Sequence, residues 1–136
     1  MKLSQTGRYA IRAVVAIAAH KGAGRPDARR VAAAHGLPGF FVSKLLRRLV
    51  MAGLLQSLRG PNGGFRLARA AGHISLLEIV EAVDSPIRGQ DPAVGSVQGG
   101  RLDRRLQLVF DQAAETVRRQ WGAVTVSDLL ATKGRR

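Results

Sequence analysis

Apolar residues recur every three or four positions through the first part of the chain, which is the spacing of amphipathic helices. The pattern predicts three helices, over residues 8–20, 28–35 and 38–52. Asp27 is placed to cap the second helix, Gly36 to end it, and Pro38 to occupy the first position of the third. The third helix is expected to turn four apolar side chains toward a core, namely Val42, Leu45, Leu46 and Leu49.

The periodicity changes after the third helix. Residues 54–67 consist of two short extended runs separated by a cluster of turn residues, and they predict a β-hairpin with a glycine-rich, basic tip. Ser75 and Glu78 have the spacing of a capping box. They predict a fourth helix that ends near Val83.

A linker and a long helix are predicted for the rest of the chain. Residues 84–100 lack periodicity and have the composition of a linker, which predicts a flexible loop. An apolar stripe then predicts a long helix over residues 102–121. The members of the stripe are Leu102, Leu106, Val109, Phe110, Ala113, Val117 and Trp121. Thr125 and Asp128 are placed to cap a short last helix, which completes a segment over residues 101–132.

Charge is distributed very unevenly along this pattern. The 136 residues carry a net charge of +13, of which residues 1–72 account for +12, with Asp27 as their single acidic residue, and residues 73–136 for +1. A compact unit this basic repels itself unless it binds a polyanion, and nucleic acid is the leading candidate. An anionic membrane surface is the weaker alternative, because no basic amphipathic helix with aromatic anchors is evident.

The residue types that are absent exclude several classes of protein. The sequence contains no cysteine, which rules out a disulfide framework, a cysteine-ligated zinc site and an iron–sulfur cluster held by thiolates. No phosphate-binding loop, paired carboxylates or histidine-centred nucleophile is evident, so an enzyme is not expected. The apolar stretches are too short for a membrane helix and the N-terminus has no signal-peptide layout, so a cytoplasmic protein is expected.

The second and third helices have the spacing of a helix-turn-helix over residues 28–52. Ala32 is small where the third helix must cross closely, Gly36 lies in the turn, and Val42 fills the crossing. The hairpin with its basic tip follows directly. Together these features predict a mainly α-helical fold with a small β-hairpin wing, in which residues 1–83 form a winged helix-turn-helix domain.

The outer face of the third helix is predicted to read base edges in the major groove, because Arg can bind guanine and Phe can pack on a thymine methyl. The candidate residues there are Phe40, Ser43, Lys44, Arg47 and Arg48. The wing is predicted to reach the minor groove. Its candidate residues are Arg59, Asn62, Gly63, Gly64 and Arg66. Phosphate contacts are expected from Arg8, Tyr9 and Arg29.

Each of these assignments has a plainer alternative. Arg47 and Arg48 could contact phosphates or form a solvated face instead of reading bases. Phe40 could equally be a core residue, and its neighbour Phe41 is expected to be one. The glycine-rich tip of the hairpin could be an ordinary turn.

Five short motifs add a resemblance to these observations. They are Lys2-Leu3-Ser4, Gly7-Arg8-Tyr9-Ala10, Gly53-Leu54, Arg59-Gly60-Pro61-x-Gly63-Gly64-Phe65-x-Leu67 and Ile74-x-Leu76-x-x-Ile79-x-x-Ala82-Val83. In combination they resemble the Rrf2 family of bacterial winged-helix transcription regulators, well over residues 1–83 and more loosely over the long helix. The resemblance implies a sequence-specific DNA-binding regulator, which we expect to be a repressor.

The resemblance also implies a homodimer. In the family the long C-terminal helix pairs with its twin, so the stripe over residues 102–121 is expected to form the dimer interface. Two recognition helices related by a twofold axis would then meet successive major grooves of double-stranded DNA, roughly 34 Å apart, on a partly palindromic operator.

The chain departs from the best-known members of the family in one segment. Those members carry three cysteines between the fourth helix and the dimer helix, which hold an iron–sulfur cluster, whereas residues 84–100 contain none. The three histidines, His20, His35 and His73, are too scattered to replace them, so no metal or cofactor is expected. An unknown small molecule or protein is left open as the effector. A winged-helix RNA-binding or protein-interaction module is left open as the alternative function.

Overall fold

The computed structural model describes residues 3–20, 24–61, 63–84, 87 and 100–132. Within these ranges the chain forms six α-helices, a two-stranded antiparallel sheet and one short 3-10 helix. Their bounds are Gln5–Ala19 (α1), Ala28–His35 (α2), Gly39–Met51 (α3), Leu55–Leu58 (β1), Gly64–Leu67 (β2), Ala71–His73 (the 3-10 helix), Leu76–Val83 (α4), Arg101–Ala123 (α5) and Val126–Thr132 (α6). The predicted fold class, mainly α-helical with a hairpin wing and a long C-terminal helix, is confirmed.

Side-chain caps account for the ends of the first two helices. The Ser4 hydroxyl accepts a hydrogen bond from the backbone N–H of Gly7 at 2.9 Å, and α1 therefore begins earlier than the apolar periodicity predicts. The Asp27 carboxylate accepts one from the N–H of Arg30 at 2.9 Å. Gly36 ends α2 with a φ of +63°, a conformation that favours glycine. Both predictions for α2 are confirmed.

The third helix differs from its prediction at both ends. Pro38 precedes α3 with an extended ψ of 130°, so it is the residue before the helix rather than its first residue, and α3 ends at Met51. Its inner face is as predicted, with four side chains that are at most 3% exposed, namely Val42, Leu45, Leu46 and Leu49. They pack with buried residues of α1, α2, β1 and α4 in one core.

The wing is held against the segment that leads into α2. In the hairpin Leu55 is paired with Leu67 and Leu58 with Gly64. Beyond the hairpin, the N–H of Phe65 donates to the carbonyl oxygen of Pro26 at 2.9 Å. Gly64 has a φ of +148°, and a Cβ there would lie 2.6 Å from the carbonyl oxygen of Arg25. Close backbone approach therefore requires glycine at this position.

The C-terminal helices pack on α4 and on the 3-10 segment. The N–H of Leu76 donates to the carbonyl oxygen of Val124 at 2.8 Å, and the N–H of Val126 donates to that of Ile74 at 2.9 Å. Thr125 and Asp128 exchange backbone-to-side-chain hydrogen bonds, as predicted for the start of α6. None of the helices in the described ranges is both long and apolar enough to span a bilayer.

The predicted stripe on α5 is divided between two environments. Four of its side chains are half-buried against the rest of the chain, namely Leu106, Phe110, Val117 and Trp121. The other three, Leu102, Val109 and Ala113, are exposed. Of the helix as a whole, only Ala114 is fully buried. The loop predicted over residues 84–100 lies outside the described residues except for Asp84, Ile87 and Gly100.

Candidate nucleic-acid interface

The outer face of α3 is polar and basic, whereas its inner face forms part of the core. Phe40, Ser43, Lys44 and Arg47 are all exposed, as predicted for a surface that meets a partner. Phe40 is 76% exposed and is therefore not a core residue. Helical spacing brings these four side chains to one side of the helix because they lie three or four positions apart.

Lys44 and Phe40 form a pair on this face. The Lys44 Nζ lies 5.5 Å from the centre of the Phe40 ring, within the range of a cation–π contact. The contact joins a cation and an apolar ring one helical turn apart. It places both side chains on the same part of the surface, at the N-terminal half of α3.

Arg48 differs from its neighbour Arg47 because it has a partner within the protein. Its Nη1 donates a hydrogen bond to the carbonyl oxygen of Val83 at 2.9 Å. Val83 is the last residue of α4, so this bond satisfies a helix C-terminal carbonyl and ties α4 to α3. Arg47 and Arg48 are both exposed, and the hydrogen bond to Val83 is what distinguishes Arg48.

The three predicted phosphate contacts lie on the first two helices. Arg8 and Arg29 are exposed. Tyr9 is half-buried, and its ring packs edge-on against that of Phe41 with centres 5.7 Å apart, which agrees with the expectation that Phe41 belongs to the core. The Tyr9 hydroxyl accepts a hydrogen bond from Gln5 Nε2 at 2.6 Å.

The predicted wing residues have different structural roles. Arg59 is exposed at the end of β1. Arg66 is exposed too, and its Nε donates across the hairpin to Gln56 Oε1 at 2.7 Å. Gly64 is buried, and the absence of a side chain there allows close contact with the segment before α2. Asn62 lies outside the described residues.

Gly63 closes the tip of the wing. Its N–H donates to the carbonyl oxygen of Gly60 at 2.9 Å, which makes a tight turn. A Cβ at Gly63 would lie 2.3 Å from the carbonyl oxygen of Leu58. Gly63 is therefore required by the turn of the hairpin, and Gly64 by the close backbone of Arg25 and Pro26.

Acidic side chains are almost absent from this region. Asp27 is the only one before residue 73, and its carboxylate caps α2. Arg69, by contrast, is neutralised, because its Nη2 lies 2.8 Å from Glu78 Oε2. Burial alone raises the pKa of Glu78, but the hydrogen bond and charge of Arg69, together with hydrogen bonds from Ser75, lower this pKa overall. Exposed cations thus lie on α1, α2, α3 and the wing, and cations of this kind are suited to phosphates.

A family model described as that of an iron-dependent transcriptional regulator, Rrf2, matches residues 3–132 of the chain. The HTH-type transcriptional regulator IscR of Xenorhabdus nematophila is 36% identical over 87 residues, which are 64% of this chain and 53% of that protein. IscR of Citrobacter koseri is 34% identical over 101 residues, 74% of this chain and 62% of that protein. The chain therefore spans less than two thirds of the length of these relatives.

Solved structures show the same fold. CymR, the global cysteine regulator of B. subtilis, superposes with a TM-score of 0.80 at 23% identity, over 96% of this chain and 97% of that one. IscR of T. potens superposes with a TM-score of 0.77 at 23% identity, over 98% of this chain and 88% of that one. The winged-helix fold and the long C-terminal helix are thus common to these proteins.

The residues of this chain do not fit the iron named in the family description. An iron–sulfur cluster is usually held by thiolates, and the sequence has no cysteine. Among the described residues, no group of three or more His, Cys, Asp or Glu side chains is arranged to hold a metal ion. His20 and His35 lie at the ends of α1 and α2, whereas His73 belongs to the 3-10 helix.

The match to the family model extends over nearly the whole of the described chain. The family consists of transcriptional regulators, which confirms the expectation that the protein is not an enzyme. On this evidence the protein belongs to the Rrf2 family of transcriptional regulators.

Proposed function

We propose that the protein is a homodimeric, sequence-specific DNA-binding repressor that works without an iron–sulfur cluster. The observation that carries the proposal is the division of α3 into two faces. One face is fully buried in the core, so the helix is held rigidly, and the other presents Phe40, Ser43, Lys44 and Arg47 to a partner. A rigid helix with a basic outer face is what major-groove recognition requires.

Each exposed residue of α3 has its own role in the proposal. Arg47 and Lys44 are long enough to reach guanine acceptors, and Phe40 packs on a thymine methyl. Ser43 is small and serves as donor or acceptor to a neighbouring base. Arg48 keeps α3 in position through its bond to Val83, with its remaining donors free for a phosphate.

The wing and the first two helices supply contacts outside the major groove. Arg59 and Arg66 are proposed to reach the minor groove or its phosphates, together with Asn62 and the backbone of Gly63. Gly64 positions the wing and makes no DNA contact itself, because it is buried. Further phosphate contacts are proposed for Arg8, Tyr9 and Arg29.

The exposed part of the α5 stripe supports the homodimer. Leu102 and Val109 are 68% and 57% exposed, and Ala113 lies beside them on the same side of the helix. Pairing of this face with its twin would bury the exposed apolar area and relate the two α3 helices by a twofold axis. Their separation would match successive major grooves, roughly 34 Å apart, on a partly palindromic operator.

Repression is proposed to follow from occupancy alone. A dimer bound over a promoter excludes RNA polymerase without needing a cofactor. The protein would act in the cytoplasm, where the bacterial chromosome lies.

Footprinting on the DNA upstream of the gene, followed by anisotropy titration of the protected duplex and a scrambled one, tests the proposal. Arg47→Ala is expected to lower the preference for the protected duplex by roughly 10- to 100-fold, because one base contact is lost. Arg104→Ala, which removes the same charge from the exposed surface of α5, is the matched control and should preserve the preference. Equal affinity of the wild-type protein for both duplexes would contradict the proposal, and a preference for an RNA hairpin would favour the alternative function.

A further inference from the structure

A groove of about 600 Å³ lies between α1, α2 and α6, apart from the proposed DNA interface. Its walls are apolar and include Ile11, Val15, Ala16, Ala19 and Leu129. Ile11 and Val15 are half-buried, and of these two Ile11 also packs against the edge of the core. None of the residues that line the groove belongs to α3 or to the wing.

Two histidines line the groove and have unsatisfied nitrogen atoms. The Nε2 atoms of His20 and His35 are shielded from water, and among the described residues neither has a hydrogen-bond partner. Buried polar atoms in folded proteins nearly always have one, because an unpaired atom loses its hydration and gains nothing in return. Two such atoms on one groove give it two positions at which a bound polar group could form a hydrogen bond.

The charge of the lining restricts what that group can be. Arg12 is exposed and lines the groove together with the two histidines, and no acidic side chain among the described residues lines it. The polar side of the groove is therefore cationic and rich in donors, and the rest is apolar. Its volume lies within the range of small-molecule pockets, about 300–1,000 Å³.

We propose that this groove binds an amphipathic organic anion, with an apolar body and one carboxylate or sulfonate group. The body packs against Ile11, Val15 and Leu129, and the anionic group is held by Arg12 and by the imidazoles after a small side-chain rotation. Binding itself does not depend on the proposed DNA-binding function. An effect of the ligand on DNA affinity rests on that function, and it would arise because α2 belongs to both the groove and the helix-turn-helix.

The test uses 1-anilinonaphthalene-8-sulfonate as the probe, titrated into the full-length protein without DNA and followed by fluorescence. Saturable binding of one probe per chain is expected, with competition by decanoate. N-Phenyl-1-naphthylamine, which has the same rings and no sulfonate, is expected to bind at least 10-fold more weakly. Equal binding of the neutral probe would overturn the assignment of an anion.

Variants locate the probe. Arg12→Gln and Ala34→Phe, which fills the groove from an exposed position, should each weaken binding at least 10-fold. The matched controls are Arg119→Gln and Ala123→Phe, at exposed positions on α5, and they should leave the affinity unchanged. Unchanged binding in both groove variants would overturn the proposal.

The histidines give a readout that a purely structural role would not produce. His35→Leu removes an unpaired nitrogen, so it should raise the melting temperature of the free protein and yet weaken binding of the anionic probe. A change in sedimentation caused by Ala34→Phe would instead identify the groove as a contact between two copies of the chain, which contradicts a ligand site. Because no DNA is present, failure here leaves the DNA-binding proposal untouched, and Arg47→Ala should not alter probe binding.

Discussion

The winged domain and α5 differ in how well each buries its apolar side chains and balances its charge. The described residues of the domain, up to Val83, bury apolar side chains from five elements in one core, but residues 1–72 carry a net charge of +12. α5 belongs to a half with a net charge of only +1, yet it buries Ala114 alone and exposes Leu102 and Val109 on one side. The domain thus buries its apolar side chains in a core that Val126 of α6 also joins, but it carries a large excess of positive charge. The long helix instead leaves apolar side chains exposed and belongs to a half with little excess charge. The difference indicates two kinds of partner, a polyanion for the domain and an apolar surface for the helix.

A core substitution in the domain should have the largest effect on folding. Leu46 is fully buried, and Leu46→Ala is expected to lower the free energy of unfolding by about 2–5 kcal/mol, because the cavity cannot be refilled. Leu108→Ala, at a residue of α5 that is 61% exposed, is the matched control, with an expected change within about 0.5 kcal/mol. Urea denaturation followed by circular dichroism measures the free energy of unfolding of both variants. Similar decreases in the two variants would contradict the difference in packing between the domain and α5.

An acidic substitution in the exposed stripe should act on assembly instead. Val109→Glu places a charge where the second copy is proposed to pack, and it should weaken self-association by about 3 kcal/mol or more, over 100-fold. Leu108→Glu carries the same charge on another side of α5 and should leave the dimer intact. Sedimentation velocity across a range of concentrations distinguishes the two variants. If Val109→Glu remains a dimer, the dimer interface does not include this face of α5.

Elements with local signals were predicted best from the sequence. α2 has the predicted bounds because Asp27 and Gly36 lie at its two ends and act within a few residues of themselves. α1 begins early because its cap, Ser4, stands in a polar stretch with no apolar periodicity to reveal it. The short 3-10 helix at Ala71–His73 has no apolar pattern and was missed.

Roles that depend on distant segments could not be predicted. Arg47 and Arg48 are adjacent, chemically identical and both exposed, and only the position of the α4 C-terminus gives Arg48 a hydrogen bond to Val83. The need for glycine at Gly64 arises from the nearby backbone of Arg25 and Pro26, which are distant in sequence. The apolar residues of the α5 stripe repeat regularly along the sequence. Because α4 packs against one side of α5, part of the stripe is covered and part is exposed.

The two adjacent arginines offer a sharper comparison within the domain. Arg48→Gln should lower the free energy of unfolding by about 1–2 kcal/mol, because the carbonyl oxygen of Val83 loses a charged donor. Arg47→Gln should leave stability within about 0.5 kcal/mol, because Arg47 is exposed, but it should reduce discrimination between duplexes. Thermal denaturation together with anisotropy resolves the two roles, and identical behaviour of the variants would contradict them.

The smallest effect is expected from the ion pair between Arg69 and Glu78, whose contribution to stability depends on pH. Its pKa lies below the ordinary value of 4.5, so the ionised form stabilises the fold above that pH, and the contribution is lost as the pH falls through the lowered pKa. Glu78→Gln should therefore be less stable than the wild type at pH 7, and the difference should shrink below about pH 4.5. Since the pair with Arg69 is partly exposed, the difference should stay below about 1 kcal/mol. Glu115→Gln, on the exposed surface of α5, controls for the loss of one carboxylate.

Hydroxyl-radical footprinting of the highest-affinity duplex tests most directly the claim that α5 holds two α3 helices at the spacing of DNA. A dimer of this kind should protect two patches related by a twofold axis, with centres about one helical turn, or 10.5 base pairs, apart. Val109→Glu should lose the second patch or bind far more weakly. A single patch, formed at full affinity by one chain, would show that α5 does not hold two α3 helices on the DNA.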